Sequence, residues 1–243
     1  MAVRNLKDQH QSQFVKLFEQ LTGRYSRWQI WADFVVMTAI ELSVAVDKVT
    51  AAEKVRTYRT IAGKYTEKDQ QVFAQMLGEM VLGLDEDPDQ DFLGQIFMTL
   101  ELGNDHNGQF FTPYSVCRMM AVMNDAREQI QQKGWISVND CACGAGALLI
   151  AFANACRKSG INYQTSVLFV AQDIDYITAC MCYIRLSLLG CSGYVVVGNT
   201  LSHPAASVDH HGLIPTPGQN VWYTPMYFRD VWHWRRAFSL ITA

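Results

Sequence analysis

The sequence is short of charge, of long apolar runs and of paired metal-type cysteines. Only 18% of its 243 residues are charged, the net charge is −3 and the pI is near 6.0. Bulk attraction to a phosphate backbone is therefore excluded, and any contact with nucleic acid must be local. The longest apolar stretch, Phe34 to Val46, carries Glu41 in its middle and is too short to span a bilayer. The segment Met1 to Gln13 is polar and lacks an apolar core, so no signal peptide is expected. The seven cysteines (Cys117, Cys141, Cys143, Cys156, Cys180, Cys182 and Cys191) include no CxxC pair and sit mostly in apolar runs. They read as reduced, buried thiols of a cytoplasmic protein. His203, His210 and His211 have no Cys or His partners at ligand spacing, so no metal is expected.

What is present is a chain able to build a core. It is 49% hydrophobic and 12% aromatic with six Trp, which excludes a disordered chain, a collagen-like fibre and a coiled coil. Up to Asp105 there are 11 Lys/Arg against 16 Asp/Glu; beyond it there are 9 against 7. The pattern changes at the same place. From Gln11 to Leu84 apolar residues recur at helical spacing: Phe14, Leu17, Phe18 and Leu21, then Trp28, Trp31, Phe34, Val35 and Ala39. A third helix is predicted after Thr50. A fourth starts at Thr66, with acidic residues in its first turn. The run Asp85 to Asp91 holds five acidic residues around Pro88 and reads as a solvated turn. Arg24, Arg27, Trp28 and Trp31 read as part of an ordinary amphipathic helix.

Beyond Asp105, short apolar strands alternate with helices. Strands are expected at Trp135–Asn139, Ser166–Ala171, Tyr194–Val197 and Asn220–Tyr223. Helices are expected at Ala145–Lys158, Tyr176–Leu189 and Phe228–Ile241. Alternation of this kind predicts a doubly wound α/β domain on a parallel sheet with right-handed crossovers. The expected division is an α-helical domain over residues 1–90 and an α/β domain over 91–243.

The segment Asp140-Cys141-Ala142-Cys143-Gly144-Ala145-Gly146 falls between a strand and a helix, where an open α/β sheet binds nucleotides. Its small residues let the backbone approach a ligand, and the following helix offers free N–H groups. The next strand ends at Asp173, placed to accept from both ribose hydroxyls; Asp175 fits a helix N-cap. The third strand ends at Asn199, whose amide oxygen is suited either to an adenine amine or to a turn. Upstream, Asn107-Gly108-Gln109-Phe110-Phe111-Thr112-Pro113 supplies an aromatic-lined approach. There Thr112 is the expected N-cap and Pro113 the first helical residue.

Taken together, GQFFTP followed about 30 residues on by DCACGAG resembles the N6-adenine DNA methyltransferases. Similar chains are the modification subunits of type I restriction–modification systems and their phage or plasmid cousins. The family pattern is GxFFTP or GxYYTP, then DPACGSG; Cys141 and Ala145 depart from it. The resemblance, from about Asp91 to Leu201, implies S-adenosylmethionine as cofactor and DNA as partner. It implies that Gln109, Phe110, Phe111, Thr112 and Pro113 border the methionine end, with Asp140, Cys143, Gly144 and Gly146 beneath the cofactor. Asp173 would hold the ribose, Ile174 would pack on the adenine and Asn199 would stand where the family has Asp.

Family members also carry Asn or Asp, then Pro-Pro and an aromatic residue, after the fourth strand. Acceptors there bond the adenine amine while the ring stacks on the flipped base. No such tripeptide occurs here. The positional substitute is Thr224-Pro225-Met226-Tyr227, with Thr224, Pro225 and Tyr227 as the candidate catalytic strip. The expected function is a DNA adenine N6-methyltransferase with a degenerate catalytic motif. The alternative is an inactive module of the same fold that binds DNA or a restriction–modification partner. An unfinished sheet edge predicts a homodimer or a separate partner subunit. Arg229, Arg235 and Arg236, interleaved with Trp232, His233 and Trp234, suit either DNA contact or a closing helix packed on the sheet.

Overall fold

The computed structural model describes Leu6, residues 8–105 and residues 111–242. The first half is helical: α1 (Gln9–Glu19), α2 (Arg27–Val46), α3 (Ala51–Ala62), α4 (Glu67–Glu86), α5 (Phe92–Thr99) and the short α6 (Leu102–Asp105). Local chemistry sets the boundaries. The Thr66 side chain accepts from Asp69 N while the Asp69 side chain accepts from Thr66 N, a reciprocal capping box that starts α4. Asp8, Ser26 and Asp91 cap α1, α2 and α5 through their side-chain oxygens. α2 is long and apolar enough to cross a membrane by length and composition, yet most of that stretch is buried within the fold. Its residues Phe34, Trp31 and Ile40 are core, with Phe14 edge-on to both Trp31 and Phe34.

The second half runs α7 (Tyr114–Met123), α8 (Arg127–Lys133), β1 (Ile136–Asp140), α9 (Ala147–Lys158), α10 (Tyr163–Ser166), β2 (Val167–Asp173), α11 (Tyr176–Leu188), β3 (Ser192–Val197), β4 (Asn220–Tyr223), a 3-10 turn (Pro225–Phe228) and α12 (Asp230–Thr242). The sheet order is β1-β2-β3-β4, with β1, β2 and β3 parallel. β4 runs antiparallel to β3, pairing Tyr194 with Tyr223, where the sequence predicted a fourth parallel strand. The chain from Gly198 to Gln219 forms no crossover helix, so it returns beside β3 in the opposite direction. Helices cover both faces of the sheet. Phe169, Ala171 and Val195 share one apolar cluster with α9, α11, α2 and the N-terminal helices. Leu168, Val170, Tyr194 and Val196 join Leu213, Tyr227 and Trp232 on the other face. The interior strand β2 is buried along six of its seven residues, whereas β1 alternates between half-buried and exposed residues at the sheet edge.

Two local expectations change, and an open alternative is decided. α7 begins at Tyr114 with Pro113 as N-cap, and Thr112 makes no side-chain cap. The Asp85–Asp91 run is not simply a solvated turn, because Asp91 is buried and Asp89 faces three partners. In α12, Trp232 is buried with its indole N–H donating to Gln164 O, and Arg235 donates to Thr165 O. The closing-helix reading therefore holds for those residues, while Trp234 stays exposed.

Candidate cofactor cavity at the strand ends

The loop after β1 is held by a short list of bonds. Asp140 Oδ1 accepts from Ala142 N at 3.2 Å, and Cys143 N donates to Gln172 O on β2 at 2.9 Å. Asp173, at the end of β2, receives Gly144 N on Oδ2 at 2.8 Å and Asp175 N on Oδ1 at 2.9 Å. Gly146 N closes the turn onto Cys143 O at 2.8 Å. Two glycines make this path possible. Gly144 has φ +51° and Gly146 φ +81°, a region that side-chain-bearing residues rarely adopt. A Cβ on Gly144 would stand 3.3 Å from the Phe111 ring, and one on Gly146 would stand 2.8 Å from Cys182 Sγ.

Above the loop opens a cavity of about 410 Å³ lined by Phe111, Thr112, Asp140, Cys143, Gly144 and Asp173, together with Cys117, Met120, Leu148 and Thr178. Its size is that of a small-molecule site. Phe111 forms one wall and rests on Phe97 of α5, with ring centroids 5.0 Å apart. Burial pushes the Asp140 carboxyl up from its ordinary value, and the nearby Asp173 charge adds to the effect. Two carboxylates on one cavity, one already resisting ionisation, suit a ligand that carries positive charge and hydroxyls. The thiols in the lining resist ionisation. Cys143 is raised well above the usual thiol value by its hydrogen bond with Cys182 and by burial, and burial raises Cys117 as well.

The sequence-predicted residues divide clearly. Phe111, Thr112, Asp140, Cys143, Gly144 and Asp173 meet at the cavity, and Gly146 shapes its floor from behind. Gln109 and Phe110 lie outside the described residues. Pro113 starts α7 next to the lining residue Thr112, and Ile174 is 67% exposed just past the end of β2. Asp175 takes the N-cap of α11, which leaves Asp173 facing the cavity. Asn199 is a turn residue, its Oδ1 accepting from Leu201 N and Ser202 N, and it is not part of the lining.

The candidate catalytic strip is not at this site. Because β4 is antiparallel, Thr224, Pro225 and Tyr227 follow its end beside the start of β3, whereas the cavity opens at the opposite strand ends. The length of β3, six residues, puts about 20 Å between the two ends. Thr224 is fully buried; its hydroxyl donates to Cys191 O at 2.7 Å and accepts from Gly193 N at 3.0 Å. Tyr227 is buried and donates to Leu213 O at 2.6 Å. Both side chains are engaged with backbone groups at the end of the sheet away from the cavity.

Sequence reasoning missed Gln172 and Arg185, both fully buried. Gln172 donates to Gly198 O and His203 O and accepts from Ala205 N, fixing the chain that leaves β3. A polar residue following the apolar run of β2, just before Asp173, and a lone Arg within the apolar run of α11, were the available signals.

Among solved structures, the chain resembles a Listeria monocytogenes protein assigned to the class I S-adenosylmethionine-dependent methyltransferases, at 16% identity and a TM-score of 0.43. That match covers 82% of this chain and 56% of the other. It also resembles the type I restriction-modification system methyltransferase subunit of Streptococcus thermophilus, at 20% identity and a TM-score of 0.41, covering 78% of this chain and 40% of that one. The chain thus spans about half the length of these structures. No curated protein matches it. The profile of the N-6 DNA methylase family matches residues 90–230, from the acidic turn through the loop, cavity and β4, and the chain belongs to that family.

Proposed function

We propose that the 140–146 loop and its cavity bind S-adenosylmethionine, and that the chain serves N6-adenine methylation of DNA. One observation carries the reading: a backbone loop of two left-handed glycines, tied to a carboxylate at the end of the next strand, beneath a cavity with an aromatic wall. A Cβ on Gly144 would intrude toward that wall, so the small residues fit a closely seated ligand. In this reading Asp173 holds the ribose and Phe111 and Thr112 border the methionine end. Asp140, beside the loop, faces positive charge on the ligand. When bound, the cofactor supplies an electrophilic methyl group on a sulfonium centre. The residues of this chain bind and orient it; their neutral thiols fit direct transfer without a covalent enzyme intermediate.

Among the described residues, the Thr224–Tyr227 strip does not reach the cavity lining, since Thr224 and Tyr227 are spent on backbone carbonyls at the far end of the sheet. That placement favours the second reading for the isolated chain: a cofactor-binding module of the fold, residues 91–243 behind a helical domain of residues 1–90. Methyl transfer then requires a restriction–modification partner or a second copy. The reading includes a cytoplasmic location with reduced thiols. The test is calorimetric titration with S-adenosylmethionine, repeated with Asp173→Ala. Saturable one-to-one binding that weakens at least tenfold in the variant supports the cofactor site. A folded wild-type protein that gives no heat at millimolar ligand refutes it. Transfer of labelled methyl to unmethylated DNA by the chain alone would refute the partner requirement.

A further inference from the structure

Arg185 lies in the last turn of α11 and is fully buried. Its guanidinium reaches three acceptors on two other segments. Nη1 donates to Ala145 O at 2.6 Å and pairs with Asp91 Oδ1 at 2.7 Å, and Nη2 donates to Gln90 O at 3.0 Å. Asp91 is itself committed, since it is the N-cap of α5 and accepts from Gly94 N. Gln90 is anchored in turn, its side chain donating to Gly83 O near the end of α4. The same turn holds the α/β half at a second point, where Asp89 accepts from Tyr114 of α7 and pairs with Lys158 of α9. Pro88 O accepts from Asn154, also on α9.

The acceptor at Ala145 matters most. The peptide joining Ala145 to Gly146 has its C=O held by Arg185 and its N–H held by Cys143 O, so its plane is fixed from both sides. The preceding Gly144 N–H is fixed by Asp173. These bonds set the loop that forms the cavity floor. The guanidinium spreads its donors over separate nitrogens in a rigid plane and so spans acceptors on two segments, whereas a lysine gathers its three donors on one atom.

Building on the cofactor reading above, we infer that Arg185 is a positioning residue: it sets the 144–146 backbone for the ligand and couples that loop to the acidic turn between the helical and α/β halves. The acidic run is in this sense a bolt. Loss of the fork leaves the Ala145 carbonyl buried without its donor, and the peptide is then free to rotate away from the geometry the ligand needs.

The test uses the full chain with Arg185→Lys, Arg185→Gln and Asp91→Asn, read in two ways. In the ligand-free protein, hydrogen exchange of amides 144–147 is expected to speed up at least tenfold in the Arg185 variants, with β3 amides unchanged. By calorimetry, S-adenosylhomocysteine affinity is expected to fall at least tenfold in both Arg185 variants. Asp91→Asn should shift both readouts the same way by less, because it weakens the pair and leaves the guanidinium in place. Should the Arg185 variants fail to fold, Asp91→Asn alone decides. Wild-type loop protection in a folded variant overturns the positioning role. Faster loop exchange with affinity unchanged within twofold overturns its link to the ligand. A wild type that does not bind S-adenosylhomocysteine sinks the cofactor reading, and with it that link, while the exchange experiment still decides whether Arg185 fixes the loop.

Discussion

Replacing Gly146 by alanine separates two costs that usually arrive together. Gly146 has φ +81°, and Gly134, at the end of α8, has φ +77°. The backbone cost of a side-chain-bearing residue at either position is therefore the same, about 1–2 kcal/mol. The surroundings differ. A Cβ at Gly134 meets nothing within 4 Å, whereas at Gly146 it stands 2.8 Å from Cys182 Sγ and 3.4 Å from Cys182 Cα. Cys182 is fully buried in α11, so its thiol cannot swing clear, and overpacking of a filled core costs about 1–3 kcal/mol more. Gly146→Ala is thus expected to lose about 2–5 kcal/mol and Gly134→Ala about 1–2 kcal/mol. The measurement is the urea midpoint and slope for each variant, and for Gly146→Ala combined with Cys182→Ala. The double variant should recover part of the difference, because the sulfur is gone while the helix backbone remains. Equal losses for the two glycines would refute the reasoning: the loop would then yield without pressing on α11.

Asp140→Asn should raise the melting temperature at pH 7. The folded state holds this carboxyl above its ordinary value, chiefly through burial, so ionisation opposes folding. That penalty is absent below the unfolded value and sets in as pH rises through the interval up to the raised folded value. The variant's advantage should accordingly vanish below about pH 4. A constant advantage at every pH would exclude this origin. Thr224→Val should cost about 1–3 kcal/mol in urea unfolding, since Gly193 N–H loses its buried acceptor. It should leave S-adenosylmethionine affinity unchanged at the far end of the sheet; weakened binding would contradict the placement of this strip. With a thiol reagent under native conditions, one fast cysteine is expected, because Cys141 is exposed and the other six are buried. Cys141→Ser should abolish the fast phase.

The helical half was legible because its signals are local. Apolar spacing gave the faces of α1, α2 and α4, and Thr66 followed by Asp69 gave a boundary that the capping bonds reproduce. The loop at 140–146 was legible for the same reason: a strand, small residues and a helix fall within one short segment. Strand direction is a different kind of information. Nothing in Asn220–Tyr223 states whether it pairs with β3 in parallel or antiparallel fashion, and the catalytic strip had been placed by strand order alone. The acidic turn failed in the opposite way. Five acidic residues within seven positions read as solvated because Arg185, Lys158, Arg118 and Tyr114 stand far away in the sequence, and only the fold brings them to Asp89 and Asp91.

Hydrogen-bond capacity separates the residues that can hold a ligand from those that hold the fold. A carboxylate can accept about four bonds and a hydroxyl donates only one. Thr224 and Tyr227 have each committed their single donor to a backbone carbonyl, and Thr224 also accepts from the backbone, so neither can reach for a substrate without breaking the fold. Asn199 has spent its carboxamide oxygen on two backbone N–H groups of its own turn. Asp91 has a buried guanidinium and a helix N–H and lies behind the loop. Asp140 accepts one bond and Asp173 two, one on each oxygen, and both line the cavity with capacity to spare. Burial, with the Asp173 charge, pushes the Asp140 carboxyl up, and a donor or cation entering the cavity would offset that desolvation. A residue type gives potential donors and acceptors, and the fold decides how many of them remain to be used.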